Sequence, residues 1–317
     1  MPKTRLCEKQ KPKQRRKRGY NPLFFYMLIV KILTIAARAL CALCTHLARI
    51  IKKVCAYCHI DFYTILWYNI FVEMRGKPTH YDRKGRKMNK HFYLVCDIET
   101  ANITEDALAY DIGLAICDRQ GTIYEKHSFI CKEIFIDEAE LMKSAYYAHK
   151  IPEYNNGIQD GTRKVATLYE IRAKVFEMYQ FWHYKAIMAY NAYFDNCGLN
   201  RTQRYITKSK YRWFFPYGVP VHCIWHMACQ VICTQKKYYN FCINNNFISK
   251  SGNISTSAET VYRFLTQNPN FEEEHKGLED VLIETKIFAE CIKKKKKMDR
   301  KIYRCCWRIP QRKVKAE

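Results

Sequence analysis

A short apolar run, His91-Phe-Tyr-Leu-Val-Cys96, opens directly into Asp97-Ile98-Glu99-Thr100. The run is rich in aromatic and β-branched residues and too short for a helix, so it reads as a buried strand. Successive strand side chains point to opposite faces, and residues two apart share one. Asp97 and Glu99 therefore project together from the strand's end. Two carboxylates held side by side repel each other unless a cation sits between them. Taken alone, Asp-x-Glu is more often a solvated strand end than a site.

Two further segments extend the set. Lys185-Ala-Ile-Met-Ala-Tyr190 is a second short apolar run able to pair in the same sheet. Asn191 breaks it, and Phe194-Asp195 opens a helix running toward Tyr205. Asp195 then falls in the first helical turn, where negative charge is favoured. From Gly277 onward, Leu278, Val281, Leu282, Ile287, Phe288 and Cys291 recur at helical spacing. Asp280 lies on the first turns of that helix. His275 stands five residues earlier, a spacing that does not share a helix face, so it comes from the preceding loop. Singly, each has a plainer reading: Asn191 as a turn residue, Asp195 as a helix-start acid, His275 as a surface histidine beside Glu272-Glu273-Glu274. Together, the four acids supply hard oxygen ligands for Mg²⁺ or Mn²⁺, and a histidine near neutrality supplies a base for water.

The three segments, Asp-x-Glu at 97–99, Asn-x-x-Phe-Asp at 191–195 and His-x-x-x-x-Asp at 275–280, resemble the motifs of the DEDDh branch of the DnaQ-like 3′–5′ exonucleases. This is the superfamily of the proofreading epsilon subunit of bacterial DNA polymerase, and the flavour is closest to phage-encoded members. The resemblance covers residues 88–292, and Tyr110–Cys117 looks like the family's second strand. It implies a ribonuclease H-like α/β fold: a mixed five-stranded sheet with helices on both faces. It implies two divalent ions, Mg²⁺ or Mn²⁺. Asp97 would bridge both, Glu99 and Asp280 would complete one site, and Asp195 would hold the other through water. His275 would deprotonate the attacking water. Asn191 would support the site, and Ile98, Thr100 and Phe194 would hold the terminal nucleotide. The implied substrate is a single-stranded 3′ end, DNA ahead of RNA, cut to nucleoside 5′-monophosphates, with a DNA polymerase as the partner in keeping with proofreading. Related branches trim RNA. From a different class comes a nucleic-acid-binding accessory factor on an inactive nuclease fold, against which the intact acids and His275 weigh.

Charge divides the chain. Of the net +24, residues 1–90 carry 21 Lys+Arg against 4 Asp+Glu, and residues 293–317 carry 12 against 2. Residues 91–292 are nearly balanced, with 21 against 24. Basic ends attract phosphate backbones without reading sequence, although Lys293–Lys297 reads equally well as a solvated helix end. The expected organisation is a basic disordered arm over 1–20, a helical extension over 21–87, the nuclease domain over 88–292 and a basic tail over 293–317. The 16 cysteines, with no persuasive signal peptide, point to the reducing cytoplasm of a bacterium or phage-infected host.

Within the extension, Asn21-Pro22 is a helix-start signature, and no Gly or Pro occurs from Leu23 to Arg75. Lys31, Thr34, Arg38, Thr45, Arg49 and Lys52 form one polar stripe on an otherwise apolar helix. Such a face is buried either on protein or, over residues 22–56, at a membrane surface; within the extension no run of 18 uncharged residues exists for a span. Cys41, Cys44, Cys55 and Cys58 form two Cys-x-x-Cys pairs. On a continuous helix these stand about 21 Å apart, which favours core cysteines over a zinc site. Met88 directly precedes the first strand and is an alternative functional start. His222, His226 and Cys229 have ligand-like spacing within an apolar segment, where core packing is the better account. Leu141–Thr162 reads as a loop-rich connection whose Tyr146, Tyr147 and Tyr154 either stack on a terminal base or pack. Tyr238–Ser257 reads as a surface excursion, and Ala258–Thr266 as a short helix.

Overall fold

The computed structural model describes residues 90–102, 106–208 and 213–314. The chain divides into two units, Met1–Pro78 and Thr79–Glu317, and everything described lies in the second. The expected arm over 1–20, the helical extension over 21–87, its membrane-facing stretch 22–56, the four cysteines at 41–58 and the alternative start at Met88 all lie outside the described residues. Among the described residues no helix is long and apolar enough to cross a membrane.

The chain begins with an antiparallel meander, β1 (Phe92–Ala101), β2 (Leu108–Asp118) and β3 (Ile123–Cys131). Three short helical pieces follow: α1 (Lys132–Phe135), α2 (Ala139–Met142) and, after a 3₁₀ turn, α3 (Ile151–Gln159). Then come β4 (Lys164–Ala166), α4 (Leu168–Trp182), β5 (Ile187–Ala189), α5 (Ala192–Thr207), β6 (Val221–Cys223) and α6 (Ile224–Val231). The chain finishes with α7 (Lys236–Asn244), α8 (Ala258–Thr266), α9 (Gly277–Lys293) and α10 (Arg308–Val314). The strands form one mixed sheet in the order β4-β3-β2-β1-β5-β6. β1 is central, antiparallel to β2 and parallel to β5.

The sheet has six strands where five were expected. The extra one, β4, is a three-residue edge strand parallel to β3, too short to leave a periodic signature. β1 also runs further than the apolar run suggests. β2 is long enough to keep supplying hydrogen bonds past Cys96, with Gly113 opposite Asp97 and Asp111 opposite Glu99. The two acids thus lie within the strand, not at its end, just before a register shift between Glu99 and Thr100.

Alternation along β1 and β2 makes two cores. Phe92, Leu94, Cys96 and Ile98, with Ile112, Leu114 and Ile116, pack against Leu168, Ile171 and Val175 of α4 and Leu199 of α5. Tyr93, Val95, Ala115 and Cys117 pack on the other face against Ile224 and Met227 of α6 and Val281 and Phe288 of α9. Each large side chain so buried contributes about 1.5–3 kcal/mol relative to exposure. By the same alternation Asp97, Glu99, Asp111 and Gly113 belong to the α9 face.

At that face α9 comes down onto the sheet backbone to backbone. A Cβ built on Gly113 would lie 2.1 Å from the carbonyl oxygen of Gly277, and one on Gly277 would lie 2.7 Å from the Gly113 nitrogen. The Gly277 N–H donates to Asp111 Oδ2 at 2.9 Å. Arg163, itself 6% exposed, donates to Asp111 and to Ser128 Oγ and, through its second nitrogen, to Glu279 Oε2 at 2.8 Å. The start of α9 is thereby fixed to β2 by contact, hydrogen bond and ion pair at once.

Several segments are more ordered than their composition suggests. Leu141–Thr162 is largely helical; Tyr154 is fully buried against Tyr110 and Phe135 and is unavailable for base stacking. The polar Asn155 and Asn156 are simply the exposed side of α3. Tyr238–Ser257 begins inside α7, where Tyr238 and Cys242, four apart, form a buried seam between polar residues. Ala258–Thr266 is a helix over the expected range. Cys229 is buried and His226 Nδ1 donates to the Lys301 carbonyl at 2.8 Å, so this stretch is core. The segment after α9 packs back over α6: the Cys223 N–H donates to the Arg300 carbonyl, Gln311 exchanges hydrogen bonds with the Ile254 backbone, and Cys306 is buried. Lys293 and Lys295–Lys297 remain exposed.

Gly113→Ala is expected to destabilise the chain by at least the roughly 1–3 kcal/mol typical of overpacking. The obstructing atoms are backbone, which no rotamer change moves. Guanidinium unfolding measures this, and a wild-type midpoint would contradict the close approach of α9.

Candidate active site

β1 sends Asp97 and Glu99 toward α9, while Ile98 between them points to the opposite core. There it meets α5 closely: a Cβ on Gly198 would lie 2.6 Å from Ile98 Cδ1. Glycine inside a helix costs about 0.5–1 kcal/mol relative to alanine, and here it lets α5 settle onto β1. Three residues earlier, in the first turn of the same helix, Asp195 is 4% exposed. Asp280 lies in the first turn of α9. His275 precedes that helix in a left-handed conformation, with φ of 47°.

These elements bring Asp97, Glu99, Asp195, His275 and Asp280 to one cleft of about 330 Å³. Ile98, Thr100, Asn191 and Phe194 line the same cleft, as do Tyr146 and Tyr147. One ligand atom each of Glu99, His275 and Asp280 lie within 4.8 Å of one another.

The loop that carries His275 is braced from the 141–160 region. Tyr147 stacks on the imidazole with ring centroids 4.6 Å apart and planes 13° from parallel. Lys150 donates to the Glu274 carbonyl and sits over the Tyr147 ring. Lys276 pairs with Glu153 at 2.7 Å. Glu273 Oε2 lies 4.0 Å from His275 Nδ1.

Burial dominates the electrostatics. It pushes Glu99 up to about 9, with Asp280 adding repulsion. It pushes Asp195 and Asp280 each up to about 8, with Glu273 the main charged neighbour of Asp280. Asp97 is raised well above the carboxylate range by burial and then by Glu284 and Asp195. Glu273 is pushed up to about 7 by burial. Burial and then Lys150 hold His275 below its ordinary value. Two buried oxygens, Asp280 Oδ1 and Glu284 Oε2, have no hydrogen-bond partner. Repelling carboxylates with bare buried oxygens are a donor set suited to a hard divalent cation.

Four residues at or behind the cleft have no counterpart in the sequence motifs. Glu284 lines the cleft one helical turn beyond Asp280, and that i, i+4 spacing was a usable signal. Asp111 and Arg163 hold α9 in place, but no local pattern links residues on β2 and before β4. Glu273 also lines the cleft and is itself held by its N–H donating to Glu259 Oε1.

No family model matches the chain, and no curated protein matches it. Among solved structures it is similar to E. coli Exonuclease I in complex with a 5cy-dT13 oligonucleotide, at 13% identity and a TM-score of 0.38. The similarity covers 63% of this chain and 40% of that one, so the chain spans less than half of that structure's length.

The raised carboxylates carry a stability signature. Their folded forms bind protons more tightly than the unfolded chain does, so stability falls as pH rises. With chelator present, the thermal midpoint is expected to decline from the ordinary carboxylate pKa of about 4 through the folded values near 8 and 9. Adding Mn²⁺ should flatten that decline. A chelated protein whose midpoint rises over this window would contradict the clustering of buried acids.

Proposed function

We propose that this chain is a divalent-metal-dependent 3′–5′ exonuclease of the DEDDh type, releasing nucleoside 5′-monophosphates from single-stranded 3′ ends, DNA ahead of RNA. The observation that carries this reading is the convergence of Asp97, Glu99, Asp195 and Asp280 with His275 in one cleft, beside carboxylate oxygens that lack partners. Asp97, Glu99 and Asp280 would hold one ion, and Asp97 with Asp195 a second. Such ions, when bound, acidify water and offset charge on the phosphate and the leaving oxygen.

The chain's own residues supply the rest. His275 accepts the proton of the attacking water. Because burial and Lys150 hold its pKa below the ordinary value, the imidazole is neutral at pH 7 and free to accept. The Tyr147 stack and the left-handed backbone fix the ring's plane. As the water oxygen bonds to phosphorus, the 3′-oxygen of the next nucleotide leaves with its bonding pair and the terminal nucleotide departs. Phe194 and the backbone of Ile98–Thr100 receive that nucleotide, Asn191 supports the rim, and Tyr146, 85% exposed, offers a face on which an unpaired base can stack.

The test is digestion of 3′-labelled linear DNA and RNA single strands, with closed circles as controls, in Mn²⁺ and in chelator. Release of mononucleotides from linear strands only, and only with metal, is expected. Nicked circles would make the enzyme an endonuclease. Tight binding without turnover would make it an accessory factor.

His275→Ala is expected to lower turnover by roughly 10²–10⁴-fold, the span for a lost general base, while Mn²⁺ binding stays near wild type. The wild-type rate should fall on the acid side as the imidazole gains a proton, below the unperturbed histidine value of about 6.5, and that limb should change in the variant. Wild-type turnover in His275→Ala, with chemistry limiting, would remove the histidine from the mechanism.

A further inference from the structure

Four carboxylates satisfy the proposed reaction, yet α9 brings a further one into the cleft. Glu284 lies one turn beyond Asp280 and is 3% exposed. Its Oε1 accepts from the N–H of Tyr190, just past the end of β5, at 3.1 Å. Its Oε2 is buried with no hydrogen-bond partner, and the side chain lines the cleft together with Asp97 and Asp195.

The other fully buried acids of the sheet behave differently. Asp111 takes the Gly277 N–H and Arg163. Asp118 takes the N–H groups of Gln120 and Thr122, the Tyr124 hydroxyl and Lys90. Each structural acid has both oxygens paired. Glu284 has one oxygen anchored and one bare, although Val281, Ile283, Ile287 and Phe288 around it on α9 show that the surroundings accept apolar residues. A buried acceptor left unmade costs about 1–3 kcal/mol, more when charged, and two further acids close by raise that cost. An acid in that position is explained by something that fills the bare oxygen.

We infer that Glu284 is an additional carboxylate of the divalent-metal site, with Oε1 anchored on the Tyr190 N–H and the unpartnered Oε2 left for an ion. The inference rests on the metal-dependent reading of the cleft. Glu284 would add a fixed, buried carboxylate oxygen to those that hold the ion. Anchoring through Tyr190 ties that oxygen to β5, and so to the strand that leads into Asp195.

Calorimetric titration of the full chain with Mn²⁺, and thermal melting with Mn²⁺ or chelator, test it. Three proteins are compared: wild type, Glu284→Gln and Asp97→Asn. Glu284→Gln keeps the shape and the Oε1 acceptor while removing the charge. It should bind Mn²⁺ at least tenfold more weakly. It should also melt at or above wild type in chelator and below wild type in Mn²⁺. Glu284→Leu, which also leaves the Tyr190 N–H without its acceptor, should lose most of the rise in melting point that Mn²⁺ gives wild type, a loss that a merely structural role does not produce. Wild-type Mn²⁺ affinity in Glu284→Gln, with Asp97→Asn impaired, overturns the inference and leaves the proposed function standing. Melting below wild type in both conditions, for both Glu284 variants, overturns it too. Wild-type Mn²⁺ affinity in Asp97→Asn as well would instead defeat the metal reading of the whole cleft.

Discussion

The contact between Gly113 and Gly277 is the constraint on which the rest of this structure depends. Two backbones meet where neither residue has a side chain, and one end of a long helix is thereby pressed onto the sheet. Asp111 and Arg163 hold it there from below and beside. Asp280 and Glu284 follow within two turns, so their positions over β1 are inherited from that seat. A displacement of one ångström at Gly277 would be transmitted along a rigid helix to both carboxylates, and metal or substrate positioning tolerates little error of that size.

The site also shows how burial and charge are set against each other. Six acids line the cleft, and nearby basic side chains are spent elsewhere: Arg163 on Asp111 and Glu279, Lys276 on Glu153 and Glu274. Lys150 lowers Glu99, and it also depresses His275. One lysine thus favours a charged acid and a neutral base at the same time, the two protonation states the proposed hydrolysis requires.

Much of this is legible in the sequence, because the informative residues obey local periodicity. The period-2 pattern of β1 aligned Asp97 with Glu99; the break at Asn191 placed Asp195 in a first turn; the five-residue gap put His275 off the helix. What escaped is non-local. The Gly113–Gly277 approach and the Arg163 clamp join residues far apart in sequence, and nothing in either neighbourhood announces them. β4 was too short to show a period. The helices within 141–162 were hidden by Asn and Gly on their exposed or tightly packed sides, and the packed path after α9 by its lysines. Glu284 was the avoidable omission, since its spacing from Asp280 was in plain view.

The distribution of the site along the chain has a consequence for synthesis. Asp97 and Glu99 come first along the chain, Asp195 follows, and His275, Asp280 and Glu284 come after it. A growing chain that stops short of α9 has three of the acids and lacks the base, the fourth acid and the glycine seat. The cleft therefore closes only through its longest-range contacts, which are the slowest to form. The proposed activity therefore depends on the seating of α9, and any event that lifts α9 from β2 removes it.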